Sequence, residues 1–318
     1  MLHRSAILRP FVYRQLMPRY VYSPHYRVDI GPHVFPTAKY GIIRQRLIDE
    51  DGARPSDFLE PEPAAEADVL LVHTPDYYQK CRDAALSVEE LWRLELPWSE
   101  ELFDASLRCV QGSILAARLA IEHGVGLHIG GGFHHAFPDH GEGFCVFNDH
   151  ACAIRRLQAD GVIDRALVVD CDLHQGNGTA AIFADDNSVP TFSIHQQHLY
   201  PVHKPPGTVD VGLPSGADDK CYLRALEKQL LPLIRSHQPQ LLAYVGGADP
   251  YVHDQLGSLG LSLEGLRQRD ALVVEACNQA RIPLLVLLAG GYATQVEETV
   301  TIHLGTLREA ARLWRPSP

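Results

Sequence analysis

The stretch from Ala166 to Gly178 reads A-L-V-V-D-C-D-L-H-Q-G-N-G. Ala166, Leu167, Val168 and Val169 are apolar and the two valines are β-branched, which is the composition of a buried strand. The character then changes at once: Asp170, Asp172 and His174 follow at every second residue. Side chains alternate along an extended chain, so these three share one face for as long as strand geometry lasts. Gly176 and Gly178 let the backbone turn tightly and run close to whatever those side chains hold. Thr179 to Phe183 reads as the start of a helix.

Two carboxylates and an imidazole at the mouth of a buried strand need a cation or a full set of hydrogen-bond partners. A divalent ion is the simplest answer, and Asp oxygen with His nitrogen suits zinc, and also iron, cobalt or manganese. The plainer alternative is an aspartate-capped turn with a satisfied histidine, which an isolated D-x-D would favour. The full pattern D-x-D-x-H-x-G-x-G directly after an apolar strand favours the metal.

Outward from this stretch, further strands are expected at Asp68–His73, Val125–Ile129, Pro190–His195, Leu241–Val245 and Pro283–Leu288. Helices are expected at Tyr40–Glu50, from Thr74-Pro75 onward, and at Glu101–His123, Asn148–Ala159, Asp218–His237, Ser262–Ala280 and Thr294–Trp314. Gly124 stops the third of these, and Ser262 starts the sixth. Residues 1 to 40, rich in Tyr, Pro, Arg and His, read as an irregular leading segment wrapping the domain, with His33 at the surface and the lining of a pocket as the alternative. Strands alternating with helices of a dozen or more residues predict an α/β fold: an open parallel sheet with helices on both faces. No repeat or linker interrupts residues 1–318, so one domain is expected. In such sheets ligands bind beyond the carboxyl ends of the strands. Here those ends carry His134-His135, then Asp170, Asp172 and His174, then His195, Asp249 and Tyr292. Convergence on a single site accounts for all of them together.

Composition narrows the function further. Of 318 residues 46% are hydrophobic and 21% charged, and the formal net charge is -11. An acidic chain without a Lys/Arg run is a poor nucleic-acid binder, because that affinity rests on neutralising phosphates. It tolerates cationic substrates such as lysine side chains or polyamines. The seven cysteines form no C-x-x-C pair, which points to reduced thiols and a cytoplasmic location. M-L-H-R-S-A-I-L-R-P has no apolar core of a signal peptide, and the longest apolar run, Pro283 to Ala289, is too short to span a bilayer.

With the strand ends in view, the chain resembles the zinc-dependent histone deacetylase family. The matching motifs are G-G-F-H-H (131–135), G-F-C-V-F-N-D (143–149), D-C-D-L-H-Q-G-N-G (170–178), G-A-D (247–249) and G-G-Y (290–292). The wording H-Q-G-N-G, rather than H-H-G-D-G, is similar to the class IV branch and its bacterial relatives. The likeness runs from about Tyr22 to Trp314. It implies an arginase/deacetylase-like sheet and one catalytic Zn²⁺ per chain, bound by Asp172, His174 and Asp249. It implies that His134 and His135 are the catalytic pair, with Asp170 holding His134, and that Tyr292 is the electrophilic tyrosine. It implies that Phe144 and Tyr200 wall an acyl-lysine tunnel, with Gly132 also at the substrate. A structural K⁺ near Asp170, Asp172, His174 and the Ser193-Ile194 backbone is implied as well. Asn177 departs from the commoner members, which have an aspartate supporting the second histidine. No residue between Leu94 and Asp104 stands in for the family's rim aspartate, which grips the substrate backbone.

The residue types suit amide hydrolysis, which needs an activated water, a stabilised oxyanion and a proton for the leaving amine. A metal with three protein ligands keeps a position open for water and carbonyl. His135 suits a general base that later acts as acid, Tyr292 an oxyanion donor, and Asp170 with Asn177 the orientation of the histidine pair. The expected function is therefore removal of acyl groups from acylated amines, acyl-lysine first and acetylpolyamine as the alternative. Two other readings stay open. A binuclear manganese amidinohydrolase needs further bridging carboxylates, for which Asp254 is the nearest candidate. A non-catalytic binder of acylated ligands has no need of Tyr292 or the histidine pair.

Overall fold

The computed structural model describes residues 18 to 315. The stretch read for targeting signals, with the rest of residues 1 to 17, lies outside them. The described chain forms, in order, β1 (Tyr20–Val21), α1 (Lys39–Asp51), β2 (Phe58–Leu59), α2 (Glu66–Val69), α3 (Pro75–Arg82), α4 (Val88–Leu94), α5 (Glu100–His123), β3 (Val125–His128), α6 (Asp149–Ala159), β4 (Ala166–Asp170), α7 (Asn177–Ile182), β5 (Thr191–Gln196), β6 (Val209–Leu213), α8 (Asp219–His237), β7 (Leu241–Val245), α9 (Leu263–Ala280), β8 (Leu284–Leu287) and α10 (Val296–Ala311). The strands make one sheet, every pairing parallel, in the order β2-β1-β3-β8-β7-β4-β5-β6.

The expected two-sided cover follows from alternation along the central strands. Leu167 and Val169 of β4, Leu242 and Tyr244 of β7, and Leu284 and Val286 of β8 pack in one apolar layer with α1, α8, α9 and α10. Their neighbours Ala166, Val168, Leu241, Ala243, Leu285 and Leu287 pack on the other face with α5 and α6. A strand buried on both faces must be apolar at every position, and each fully buried Leu or Val contributes on the order of 1.5–3 kcal/mol. Helix boundaries follow local chemistry. Ser262 Oγ accepts from Gly265 N at 3.0 Å, Asp218 Oδ1 accepts from Cys221 N at 2.9 Å, and Gly124 ends α5 at φ 88°.

Two expectations differ from the structure. Asp68–His73 is not a strand. Its first residues belong to α2, with Glu66 and Asp68 in the first turn, and His73 N and Val72 N close the turn by donating to Val69 O. Its apolar side chains cover α6 instead of extending the sheet. In addition, β1, β2 and β6 are strands not among those expected, although V-D-V-G-L of β6 does alternate. The first two have two residues each, and β6 lies at the sheet edge with alternating exposure inside a proline-rich region. Among the described residues no helix is long and apolar enough to cross a membrane, and all seven cysteines are free.

Candidate active site

Loops after β3, β4, β7 and β8 enclose a pocket of about 210 Å³ at the carboxyl edge of the sheet. Asp172 and His174 follow β4, and Asp249 follows the adjacent strand β7. Main-chain donors fix the carboxylates: Leu173 N donates to Asp249 Oδ1 at 2.9 Å and Gly290 N to Asp172 Oδ2 at 3.1 Å. The three side chains, all buried, offer ligand atoms within 4.8 Å of one another, the one such group among the described residues.

This cradle fits a divalent cation. Asp249 Oδ2 is buried without a hydrogen bond, although His174 Nδ1 lies 3.3 Å away in a poorly aligned contact. Burial and the neighbouring Asp172 carboxylate push Asp249 up to about 7. Burial alone would lower His174, yet Asp172 and Asp249 outweigh it and lift the imidazole to about 10. Two buried carboxylates, one raised by the charge of the other, that together pull a proton onto a buried histidine form a site short of positive charge. Two glycines keep it open. A Cβ on Gly247 would lie 2.3 Å from Asp172 Oδ2, and one on Gly290 2.5 Å from Asp249 Oδ2. Asp254, the candidate for a second metal, is committed elsewhere: its Oδ2 accepts from Tyr292 N at 2.7 Å and its Oδ1 from Leu256 N at 2.9 Å.

His134 and His135 stand side by side, with ring centroids 4.0 Å apart, in two different environments. His134 Nδ1 donates to Asp170 Oδ2 at 2.6 Å, and Asp170 Oδ1 accepts from Asp172 N at 3.0 Å. Burial lowers His134, but Asp170 and Asp172 outweigh it and raise it to about 9. His135 Nδ1 donates to the neutral Asn177 Oδ1 at 2.7 Å. Burial holds His135 well below the usual histidine range, and His134 and His174 push the same way. One imidazole is thus charged and the other neutral, the divergence that separates electrostatic from basic roles.

Tyr292 lines the pocket with its ring edge-on to Phe144 at 5.9 Å and to Phe35 at 6.4 Å. Its main-chain oxygen accepts from Gln255 Nε2 at 2.7 Å. Burial and the charge of Asp249 push its hydroxyl well above the usual range, so it remains a donor at neutral pH. Phe144 stacks on Phe35 at 6.2 Å, and Tyr200 meets His135 edge-on at 5.1 Å. Phe144 has φ 67°. The left-handed region costs a side chain about 1–2 kcal/mol. Gly132 (φ 86°) also lines the pocket, where any Cβ would collide with Ala289 at under 3 Å. One residue expected here is absent: His195 does not line the pocket, because β5 continues through Gln196 and the ring turns to Ser193 Oγ at 2.9 Å.

Sequence reading misses several contributors. Asp149 is wholly buried, and its Oδ1 accepts from Gly132 N at 3.0 Å and Phe133 N at 2.8 Å, fixing the loop that carries the histidines. Only its place in G-F-C-V-F-N-D marks it. Lys39, also wholly buried, donates from Nζ to Ala289 O at 2.6 Å beneath the Tyr292 turn. Glu95 sits at the pocket mouth inside the segment where no rim residue is expected; it ends α4 at φ 59°, and its carbonyl lies 3.0 Å from His33 Nε2.

An eight-stranded all-parallel sheet with helices on both faces and a polar cluster at its carboxyl edge fits the α/β architecture of arginases and deacetylases. Within that class the chain belongs to the histone deacetylase family, whose domain matches residues 33–307. It is 32% identical to histone deacetylase 2 of Arabidopsis thaliana over 285 residues, 86% of this chain and 74% of that protein. It is 28% identical to the acetoin utilization protein AcuC of Staphylococcus aureus, over 86% of this chain and 76% of that one. An uncharacterized protein of Picosynechococcus sp. is 40% identical over 92% of this chain and 97% of its own length. The crystal structure of the HDA15 HD domain superposes with a TM-score of 0.73 at 21% identity, over 92% of this chain and 88% of that domain, and so shares the fold.

Proposed function

We propose that this protein is a metal-dependent deacylase that hydrolyses the amide of acylated amines, with acyl-lysine as its substrate. The observation that carries the reading is the pocket itself. A channel between Phe35, Phe144 and Tyr200 leads to the histidine pair, Tyr292 and the Asp172–His174–Asp249 group. Aromatic walls suit the aliphatic stem of a lysine whose amide has no charge. Glu95 at the mouth is a carboxylate acceptor for a substrate backbone N–H.

A divalent ion, zinc first among the candidates, held by Asp172, His174 and Asp249 would supply Lewis acidity toward the carbonyl and the water. The chain's own residues do the rest. His135 takes a proton from the attacking water at Nε2, its Nδ1 being occupied by Asn177. The water oxygen joins the carbonyl carbon, and Tyr292 donates its O–H to the developing oxyanion. The carbon–nitrogen bond then breaks as His135 returns the proton to the amine. His134, kept charged by Asp170, favours the negative charge that builds beside it.

The test is a hydrolysis panel that varies acyl length and amine carrier, run with and without chelator. Turnover of acyl-lysine peptides ahead of acetylpolyamines, lost on chelation and restored by zinc, is expected. Polyamines turned over faster than every peptide, or turnover indifferent to chelation, would refute the reading.

The neutral Asn177 leads to a pH prediction. Asn177→Asp places a negative charge against the His135 Nδ1–H and raises the pKa of that imidazole. A base with a raised pKa stays protonated, and so inactive, up to a higher pH. The acidic limb of the kcat/KM profile should therefore move to higher pH with metal content unchanged. A limb that stays put or moves to lower pH would show that Asn177 does not support the base.

A further inference from the structure

Asn177 does not end the chain of contacts behind His135. Its Nδ2 donates to Glu142 Oε1 at 2.6 Å. The same oxygen accepts from the Tyr200 hydroxyl at 3.1 Å, while Oε2 faces His140 Nε2 at 3.6 Å. Burial pushes the Glu142 carboxyl up, but His140, Asn177 and Tyr200 outweigh it and hold it below the usual range, ionised at neutral pH. The residue is built into a rigid turn: Glu142 N donates to Cys145 O at 3.1 Å and Cys145 N to Glu142 O at 2.9 Å. Gly143 follows at φ 51°, where a Cβ would sit 2.8 Å from His135 Cδ2 and from the Tyr200 hydroxyl. The glycine lets the turn press against both the base and the channel wall.

A carboxamide presents an oxygen and a nitrogen of nearly equal size, and either end can meet a histidine. An ionised carboxylate removes the choice, because it only accepts. With Glu142 on one side, the NH₂ of Asn177 must face it and the oxygen must face His135. A ring nitrogen that meets a carbonyl oxygen must carry hydrogen, so the neutral ring keeps its lone pair on Nε2. A reversed amide would aim its NH₂ at Nδ1, draw the lone pair there and leave Nε2 protonated, unable to act as base. We propose that Glu142 is a positioning residue of the hydrolysis: by orienting the Asn177 amide it fixes His135 as the Nδ1–H tautomer. This rests on the deacylase reading above.

The test uses zinc-loaded protein with ¹⁵N-labelled histidine. Long-range ¹H–¹⁵N spectra of the wild type should show His135 neutral with hydrogen on Nδ1; hydrogen on Nε2 would overturn the proposal without any variant. Glu142→Gln keeps the shape but brings an amide that can donate or accept. It should populate the second tautomer and lower kcat on an acetyl-lysine peptide by about 10–100-fold, the usual cost of an outer partner of a metal site, with KM little changed. In an Asn177→Ala background the same substitution should cost nothing further, since no amide remains to be oriented. Equal losses in both backgrounds, or an unchanged tautomer with unchanged kcat, would overturn it. Wild-type protein inactive on every acylated amine would refute the deacylase reading instead, while the spectra still decide the role of Glu142.

Discussion

Replacing Asp172 by alanine should remove divalent-ion binding and hydrolysis together. The carboxylate is one of three groups converging within 4.8 Å, and it also accepts from His174 N at 3.0 Å and from Gly290 N at 3.1 Å. Its loss leaves Asp249 and His174 as a pair, too few ligands for a tightly held ion. Metal affinity should fall by well over the roughly 10–100-fold that loss of an outer partner costs. Two measurements on the same preparation check this: metal per chain, and turnover of an acetyl-lysine peptide with zinc in excess. Wild-type protein should hold one catalytic ion per chain. Full activity in the variant, or two catalytic ions in the wild type, would sink the assignment.

Tyr292→Phe should lower kcat by on the order of 10²–10³, the effect of removing one oxyanion donor. The substitution is a clean probe because the rest of the residue is held by other means. Asp254 accepts from its main-chain N–H at 2.7 Å, Gln255 Nε2 donates to its carbonyl at 2.7 Å, and Phe35 and Phe144 pack edge-on to its ring. Phenylalanine keeps all of these, so ion content and the melting temperature should stay close to wild type. Turnover near the wild-type rate would make the tyrosine a packing residue.

What was legible in the sequence was whatever is decided locally. D-C-D-L-H-Q-G-N-G states its own strand, turn and face, and Ser262, Asp218 and Gly124 mark helix ends through bonds to near neighbours. What stayed hidden depends on partners far along the chain. Asp149 acts on Gly132 and Phe133, and Glu142 acts on Asn177, thirty-five residues on; neither alliance leaves a periodic trace. Asp254 resembled a metal ligand by composition, and only the fold shows it beneath Tyr292. His195 shows the converse, since a chemically capable residue on the buried strand β5 turns to nearby Ser193. Strands of two residues are below the length at which alternation can be read, and V-L-L-V after Asp68 is too short to tell strand from helical turn.

The position of β8 makes it the seam of the molecule. In the sheet β3 meets β7 only through β8, so β8 alone joins the group β2-β1-β3 to the group β7-β4-β5-β6. Asp172, His174 and Asp249 all precede β8 in the chain. The four residues of β8 act as a keystone: the turn after them brings Gly290 to Asp172 and Tyr292 into the pocket with the histidines. A chain cut before Leu284 would keep Asp172, His174 and Asp249 but lack both Gly290 and Tyr292, so the pocket is complete only with its last strand.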